Sequence, residues 1–218
     1  MQLIKQNIAF FLLLLGYVIL GALYLVTHHQ GDEILFINAF HFPEADYYFK
    51  YVTHLGDGLF FGILILILFL FISYYHALMG ILVFVLSTLM VQIPKRFIFE
   101  NENRPVKYFF GKFKLYLVDG VDVHHFNSFP SGHTGSAFAL AMLLTLYTKN
   151  KWYSMLYFFV ALNVAISRMY LCQHFLRDVY VGAILGVLSA LISYAIVENY
   201  FKVSNESKLL NALLRKKE

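Results

Sequence analysis

The stretch from Ser167 to Asp178 carries six polar or ionisable side chains between two long apolar segments. Such groups are costly beside a lipid bilayer, so by default they indicate a functional site. His174 and Asp178 are four residues apart and would stack on one face of a helix that begins here. A carboxylate in that position can hold one imidazole nitrogen and leave the other free as a nucleophile or base. Arg168 adds a permanent cation suited to phosphate or carboxylate. The alternative is an interfacial helix end with an incidental His–Asp contact.

A second group of polar residues, Ser-Phe-Pro-Ser-Gly-His, occupies positions 128–133. Pro130 suits the first position of a helix. The free backbone N–H groups of Ser131, Gly132 and His133 would then face an anion, which the helix dipole also favours. The Ser131 hydroxyl adds a donor, and His133 could give a proton to a leaving group. An ordinary capped helix start is the alternative for this motif alone.

A third group runs from Lys95 to Arg104-Pro105 and places cations at both ends of a short polar segment. This arrangement suits a phosphate clamp. By itself it is a weak signal, because Lys and Arg are common at membrane boundaries.

The composition is that of an integral membrane protein. The 218 residues are 60% hydrophobic and only 14% charged, against about 25% charged in soluble proteins. Cys172 is the single cysteine, so no intramolecular disulfide can form. A net charge of +4, owed partly to the basic tail at 198–218, does not suggest nucleic-acid binding. No linker divides the chain, and residues 1–218 are predicted to form one domain.

Apolar runs predict an all-α fold, a bundle of six transmembrane helices with an outer-face region of loops and short helices. Ile8–Val26 is long for a signal peptide and is interpreted as a retained anchor. Residues 27–56 would lie on the membrane surface. Residues 57–93 are too long for one span and would form two helices with a turn at 73–76. The last three spans are predicted at Pro130–Thr148, Trp152–Leu171 and Phe175–Val197.

The distribution of Lys and Arg favours cytoplasmic termini. The short 148–152 loop and the tail are basic, as expected for cytoplasmic segments. Residues 27–56, residues 95–128 and the 171–175 turn then share the outer face, so all three polar groups would meet there.

In chain order the motifs are Lys…Arg-Pro, Pro-Ser-Gly-His and Ser-Arg-x5-His-x3-Asp, and in this order on a chain of six predicted spans they resemble the type 2 phosphatidic acid phosphatase family. The Pro-Ser-Gly-His and Ser-Arg-x5-His-x3-Asp motifs match residue for residue, and the span pattern extends the resemblance over about 50–197. The family usually places six residues between the Lys and Arg-Pro of its first motif. Here eight separate Lys95 from Arg104, and seven separate Arg96 from it; Lys95 is preferred for the first-motif position.

The resemblance implies a role for each residue. His174 would attack phosphorus to form a phosphohistidine, Asp178 would hold its ring, and His133 would protonate the departing oxygen and then activate water. The phosphate oxygens would be held by a set of donors: Lys95, Arg104, Arg168, Ser131 and the backbone at Gly132. Neither a metal nor a cofactor is needed in this scheme. Residues 119–125 contain Asp and His, but their spacing matches no established metal site, and a solvated polar loop is the preferred interpretation.

The predicted function is therefore hydrolysis of a phosphomonoester or diphosphate on a lipid. The implied candidates are undecaprenyl diphosphate, the phosphates of lipid A, phosphatidylglycerol phosphate and phosphatidate. The predicted location is a bacterial inner membrane, with membrane lipids as the surroundings and the active site on the periplasmic face. The alternatives are a phosphotransferase using the same site, and a transporter or lipid-binding protein that only holds an anion.

Overall fold

The structure is a computed structural model that describes residues 5–148 and 150–200. The basic tail from residue 201 onward lies outside the described residues. Every regular element in the described ranges is helical, so the all-α prediction is confirmed. In chain order the helices are α1 (Ile8–Thr27), α2 (Asp32–Asn38), α3 (Pro43–Val52), α4 (Gly58–Ile67), α5 (Tyr74–Phe97), α6 (Pro105–Phe109), α7 (Gly132–Thr148), α8 (Lys151–Tyr170) and α9 (Leu176–Tyr200). A 3-10 turn (Thr53–Gly56) precedes α4, and a π-helical turn (Leu68–Ile72) extends it.

Helix α7 forms the centre of the bundle and packs against α5, α8 and α9. Its apolar side chains from Ala137 to Leu143 are all buried. A helix that is apolar on all sides is stable only inside a protein or a membrane. Helix α1 lies outside this centre and packs against α8 and α9.

Small residues allow α7 and α9 to approach closely. A Cβ atom added to Gly186 would lie 2.2 Å from the carbonyl oxygen of Gly135, and one added to Gly182 would lie 2.6 Å from that of Ser131. Both distances are shorter than any real contact, so these positions require glycine for backbones this close. The close packing brings the start of α9, which carries Asp178, against the start of α7.

The 3-10 turn Thr53–Gly56 approaches the start of α7 in the same way. A Cβ atom on Gly56 would lie 2.6 Å from the carbonyl oxygen of His133. Glycine at this position therefore lets the following residue, Asp57, reach the His133 side chain.

Among the described residues, three helices are long and apolar enough to cross a membrane: α1, α5 and α9. The segments 43–56 and 58–72 qualify as a fourth if the two, bent by 57° from each other, are taken as one broken span. Helices α7 and α8, which were also predicted to span the membrane, are not among these: α7 has only 17 residues, and α8 ends in polar residues around Arg168. The chain is thus an integral membrane protein, while the number of six spans stays a prediction.

Two predicted helix boundaries differ from those observed. The third span was predicted to end at residue 93, but α5 continues through Pro94 to Phe97. Pro130 was expected to be the first residue of the fourth span, but α7 begins at Gly132. There the Ser131 hydroxyl accepts a long hydrogen bond of 3.5 Å from the Thr134 N–H. Serine is a favoured N-cap residue, so the helix begins after Ser131 and Pro130 lies just outside it. The predicted break within 57–93 is confirmed, because Ser73 caps α5 with its side chain.

Candidate active site

His174 and Asp178 lie together in the interior at the start of α9. Their side chains are 2% and 0% exposed, and Nδ1 of His174 is 3.4 Å from Oδ2 of Asp178. The same oxygen accepts a hydrogen bond from the Phe175 N–H at 2.9 Å. This geometry places the Nδ1 proton towards the carboxylate and leaves the Nε2 lone pair free. Glu33 supports the turn from outside, since its Oε1 accepts the Leu176 N–H at 2.9 Å.

Asp178 also joins the Pro-Ser-Gly-His segment to the segment that carries His174. Its Oδ2 accepts a hydrogen bond from the Ser128 hydroxyl at 2.5 Å, and its carbonyl oxygen accepts the Ser131 N–H at 3.0 Å. The expectation that the Ser131 N–H is free to face an anion is therefore wrong, because this donor is already used. The Ser131 hydroxyl lies 3.0 Å from that of Thr134. Its role and that of Gly132 in phosphate binding stay predictions.

His133 has a carboxylate partner that the sequence did not assign. Its Nε2 lies 2.6 Å from Oδ1 of Asp57, and Oδ2 of Asp57 lies 2.6 Å from Nδ1 of His54. A carboxylate on Nε2 orients the ring and stabilises its protonated form. The sequence placed residues 27–56 on the outer face and began the second span at Asp57, but no local pattern linked Asp57 to His133.

Arg104 donates most of its guanidinium hydrogen bonds to other groups of the protein. Nε donates to the carbonyl of Phe126 at 2.9 Å, and Nη1 donates to both the carbonyl and the side chain of Gln173, at 3.2 and 3.0 Å. Nη2 donates to the carbonyl of Asn127 at 3.3 Å, which leaves one of its hydrogens for a ligand. Burial lowers the pKa of Arg104 to about 10, so the side chain stays charged at neutral pH. Arg104 thus fixes the loop over the site and offers one donor to an anion.

Arg168 and Lys95 are buried cations with few partners. Arg168 donates from Nη1 to the Thr53 hydroxyl at 2.9 Å, while its buried Nε has no hydrogen-bond partner among the described residues. Lys95 is only 8% exposed. Within residues 5–148 and 150–200, neither cation forms an ion pair with a carboxylate. Buried charges are costly unless paired, so an anionic ligand would stabilise this arrangement.

These cations act together on His174. Burial lowers the pKa of His174 well below its usual value, and the positive charges of Arg104, Lys95 and Arg168 lower it further. The imidazole is therefore neutral at pH 7, which is the form a nucleophile needs. The residues expected from the three motifs are thus close enough to interact electrostatically.

We expect Lys95→Ala to impair catalysis far more than Arg96→Ala. Lys95 points inward, whereas Arg96 on the next position of α5 is exposed. A charge-assisted contact with phosphate contributes about 1.5–3 kcal/mol, so kcat/KM should fall about 10- to 100-fold for Lys95→Ala. Arg96→Ala, the matched control, should change it less than about threefold. Equal and small losses from both variants, measured on a lipid phosphate in detergent, would mean that neither side chain contacts phosphate.

Residues 119–125 cover the site through their backbone. The carbonyl of Asp122 accepts the Gln173 side-chain amide at 2.9 Å, and that of Asp119 accepts Lys50 Nζ at 2.8 Å. The carbonyl of His125 accepts the Arg104 N–H at 2.9 Å. In the described part of the chain, no group of three or more His, Cys, Asp or Glu side chains could hold a metal ion.

The apolar helices and this site define an integral membrane protein with a buried, positively charged centre beside a His–Asp pair. The model of the PAP2 superfamily matches residues 68–202, more than half of the chain. The chain therefore belongs to the PAP2 superfamily, and the resemblance found from the motifs is confirmed.

Two curated relatives share part of the sequence. The chain is 38% identical over 98 residues to a lipid A 1-phosphatase of Porphyromonas gingivalis. The aligned segment is 44% of this chain and 21% of that protein. The chain is 43% identical over 68 residues to the bacitracin transport permease protein BcrC of Bacillus licheniformis, which covers 31% of this chain and 32% of that protein. The matches thus span less than two thirds of either relative.

Two solved structures resemble most of the fold. LpxE of Aquifex aeolicus has a TM-score of 0.67 and 29% identity, covering 76% of this chain and 94% of that one. A transmembrane PAP2-type phosphatidylglycerolphosphate phosphatase of Bacillus subtilis has a TM-score of 0.59 and 25% identity, covering 93% of this chain and 99% of that one. The arrangement of helices in this chain is therefore that of membrane PAP2 proteins.

Proposed function

We propose that this protein is a membrane lipid phosphatase that hydrolyses a phosphomonoester or diphosphate of a lipid through a phosphohistidine on His174. The observation that carries the proposal is a buried neutral histidine, held by Asp178, beside cations that pair with no carboxylate among the described residues. A phosphoryl group would bring the missing negative charge to these cations and present phosphorus to Nε2. The names of two similar proteins, a lipid A 1-phosphatase and a phosphatidylglycerolphosphate phosphatase, support the same chemistry.

The reaction would proceed in two steps. First, Nε2 of His174 attacks phosphorus, the bond to the leaving oxygen breaks, and His133 gives its proton to that oxygen. Asp178 holds the Nδ1 proton and stabilises the positive charge that develops on the ring. Next, His133 takes a proton from water, the water oxygen attacks phosphorus, and the N–P bond breaks to release phosphate. Lys95, Arg104 and Arg168 would stabilise the charge on the phosphoryl oxygens in both steps.

Each of the two alternatives can be distinguished from hydrolysis by whether inorganic phosphate is released. A phosphotransferase would pass the phosphoryl group to an acceptor other than water, and a carrier would bind the anion without breaking a bond. One similar protein, BcrC, is named a transport permease. A histidine paired with a buried carboxylate favours chemistry, because holding an anion requires only cations and donors.

Release of inorganic phosphate by the detergent-purified protein tests the proposal. The panel should contain a lipid A phosphate, phosphatidylglycerol phosphate, phosphatidate and a polyprenyl diphosphate. At least one should release phosphate in water without an added acceptor. Absence of release from all of them, together with a requirement for an alcohol acceptor, would indicate the phosphotransferase instead.

We also propose that six helices cross the membrane and that the site opens on the non-cytoplasmic face. In a Cys172→Ala background, Phe110→Cys should react with a membrane-impermeant thiol reagent in intact cells or spheroplasts. Phe110 is 79% exposed and follows α6, the short helix that begins next to Arg104. Asn150→Cys, at the exposed N-cap of α8, should react only after the membrane is opened. The reverse labelling pattern would contradict the orientation.

Turnover is expected to survive chelation. The fixed cations around the site can supply the charge that a metal ion provides in other phosphatases. Phosphate release should change less than about twofold after dialysis against EDTA. Loss of activity with EDTA and its return with one divalent ion would make the Asp and His residues of 119–125 candidates for a metal site.

A further inference from the structure

A groove beside His133 lies between α4, α5 and α7. It has a volume of about 280 Å³, and Asp57, Gly132 and His133 are among the residues that line it. His133 gives its proton to the leaving oxygen in the proposed reaction. The group attached to that oxygen must then lie on the side of His133, where this groove is.

One face of α5 lines the groove with polar side chains. Ser87, Thr88 and Gln92 lie along it, with Phe84 one turn deeper. Lys95 continues the same face towards the phosphate, so the strip from Lys95 to Phe84 spans about three turns, roughly 16 Å. The groove is therefore placed to hold the part of the substrate that follows the scissile oxygen.

Two of these polar groups have no protein partner. The Ser87 hydroxyl donates to the carbonyl of Phe84 at 3.0 Å. In contrast, the Thr88 hydroxyl and the Gln92 side-chain amide form no hydrogen bond within the described part of the chain. Polar groups on a membrane-spanning helix are costly when unpaired. A ligand with its own hydroxyl groups would satisfy both.

The charge of the groove distinguishes between kinds of leaving group. No Lys or Arg is among the residues that line it, and Asp57 adds a carboxylate. The second phosphate of a lipid diphosphate would lie here without a permanent cation. An uncharged group with several hydroxyls, as on a sugar, would hydrogen-bond to Thr88 and Gln92 without that electrostatic cost.

We propose that Gln92 and Thr88 recognise an uncharged, hydroxyl-bearing leaving group, so that the preferred substrate is a monophosphate on the sugar of a lipid rather than a lipid diphosphate. This proposal rests on the proposed phosphatase function. A site built to hydrogen-bond a hydroxyl group rejects an analogue that lacks it, because its own polar groups stay unpaired. The two side chains would thus set specificity and leave the chemical steps to His174 and His133.

The test compares Gln92→Leu and Thr88→Val with the wild-type protein on three substrates: an acylated glucosamine 1-phosphate, dodecyl phosphate and farnesyl diphosphate. Dodecyl phosphate has no polar group beyond the scissile oxygen. For Gln92→Leu, the loss of kcat/KM on the sugar phosphate should exceed the loss on dodecyl phosphate by about tenfold or more. Thr88→Val should shift the ratio in the same direction by a smaller factor. Thr145→Val, which removes a buried hydroxyl far along α7, is the matched control and should leave the ratio unchanged.

Each other outcome would overturn one specific claim. Equal losses on the sugar phosphate and on dodecyl phosphate would show that Gln92 supports the fold or the phosphate site, not specificity. A wild-type preference for farnesyl diphosphate would show that the groove accepts a charged leaving group. Failure of the wild-type protein to release phosphate from all three substrates and from p-nitrophenyl phosphate would instead refute the phosphatase function.

Discussion

Replacing His174 with alanine is expected to reduce turnover by at least about four orders of magnitude, whatever the leaving group. No other described side chain combines burial in this site with a carboxylate on one nitrogen and a free lone pair on the other. Without it no phosphoenzyme can form, and direct attack by water would lack a positioned nucleophile. Steady-state phosphate release with a lipid phosphate and with p-nitrophenyl phosphate measures the loss.

A trapping experiment tests the intermediate itself. Wild-type protein quenched in alkali after mixing with a radiolabelled substrate should carry label that acid removes, as expected for a phosphohistidine. His174→Ala should carry none, and its thermal transition in detergent should show that the protein is folded. Label of the same amount and stability on the His174→Ala protein would identify a different nucleophile and refute the assignment.

Replacing His133 with alanine is expected to have an effect that depends on the leaving group. A general acid contributes about 10² to 10⁴-fold when the departing oxygen needs a proton. A lipid alkoxide needs one greatly, whereas p-nitrophenolate hardly needs one. His133→Ala should therefore lose most of its phosphoenzyme formation on a lipid monophosphate and be partly spared on p-nitrophenyl phosphate.

The initial burst of nitrophenol is the right observable, because His133 also activates the water in the second step. Asp57→Asn should give the same dependence on leaving group at a smaller size, since Asp57 contacts Nε2 of His133 and orients its ring. His54→Ala is the matched control, because His54 contacts the other oxygen of Asp57 and is exposed. Equal reductions with good and poor leaving groups would show that His133 binds phosphate without acting as an acid.

The sequence alone was sufficient to predict the protein class and the central chemical pair. Long apolar runs with few charges indicate membrane helices irrespective of how those helices pack. The His174–Asp178 contact is local, and the sequence predicts it because residues four apart lie on one face of a helix that contains both. The structure forms this contact with a helix that begins only at Leu176, so the prediction held although the local geometry is a turn followed by a first helical turn.

Other features of the site depended on packing between distant segments. The sequence assigned no partner to Ser128, yet its hydroxyl contacts Asp178, 50 residues away in sequence. Arg168 was expected only to bind phosphate, yet it also donates to Thr53, 115 residues away. Sequence periodicity has no information on such pairs, because each side chain is placed by a different helix or turn.

The tertiary structure alone decided which residue holds His133 and which of two adjacent cations lies inside. Asp57 reaches His133 because glycine at position 56 lets the 3-10 turn lie against the start of α7. Lys95 is buried and Arg96 exposed because α5 continues through Pro94 and keeps its packed face towards α7 and α9. Amino-acid types and their spacing therefore determined the available chemistry, whereas the close approach of helices at small residues determined which side chains act together.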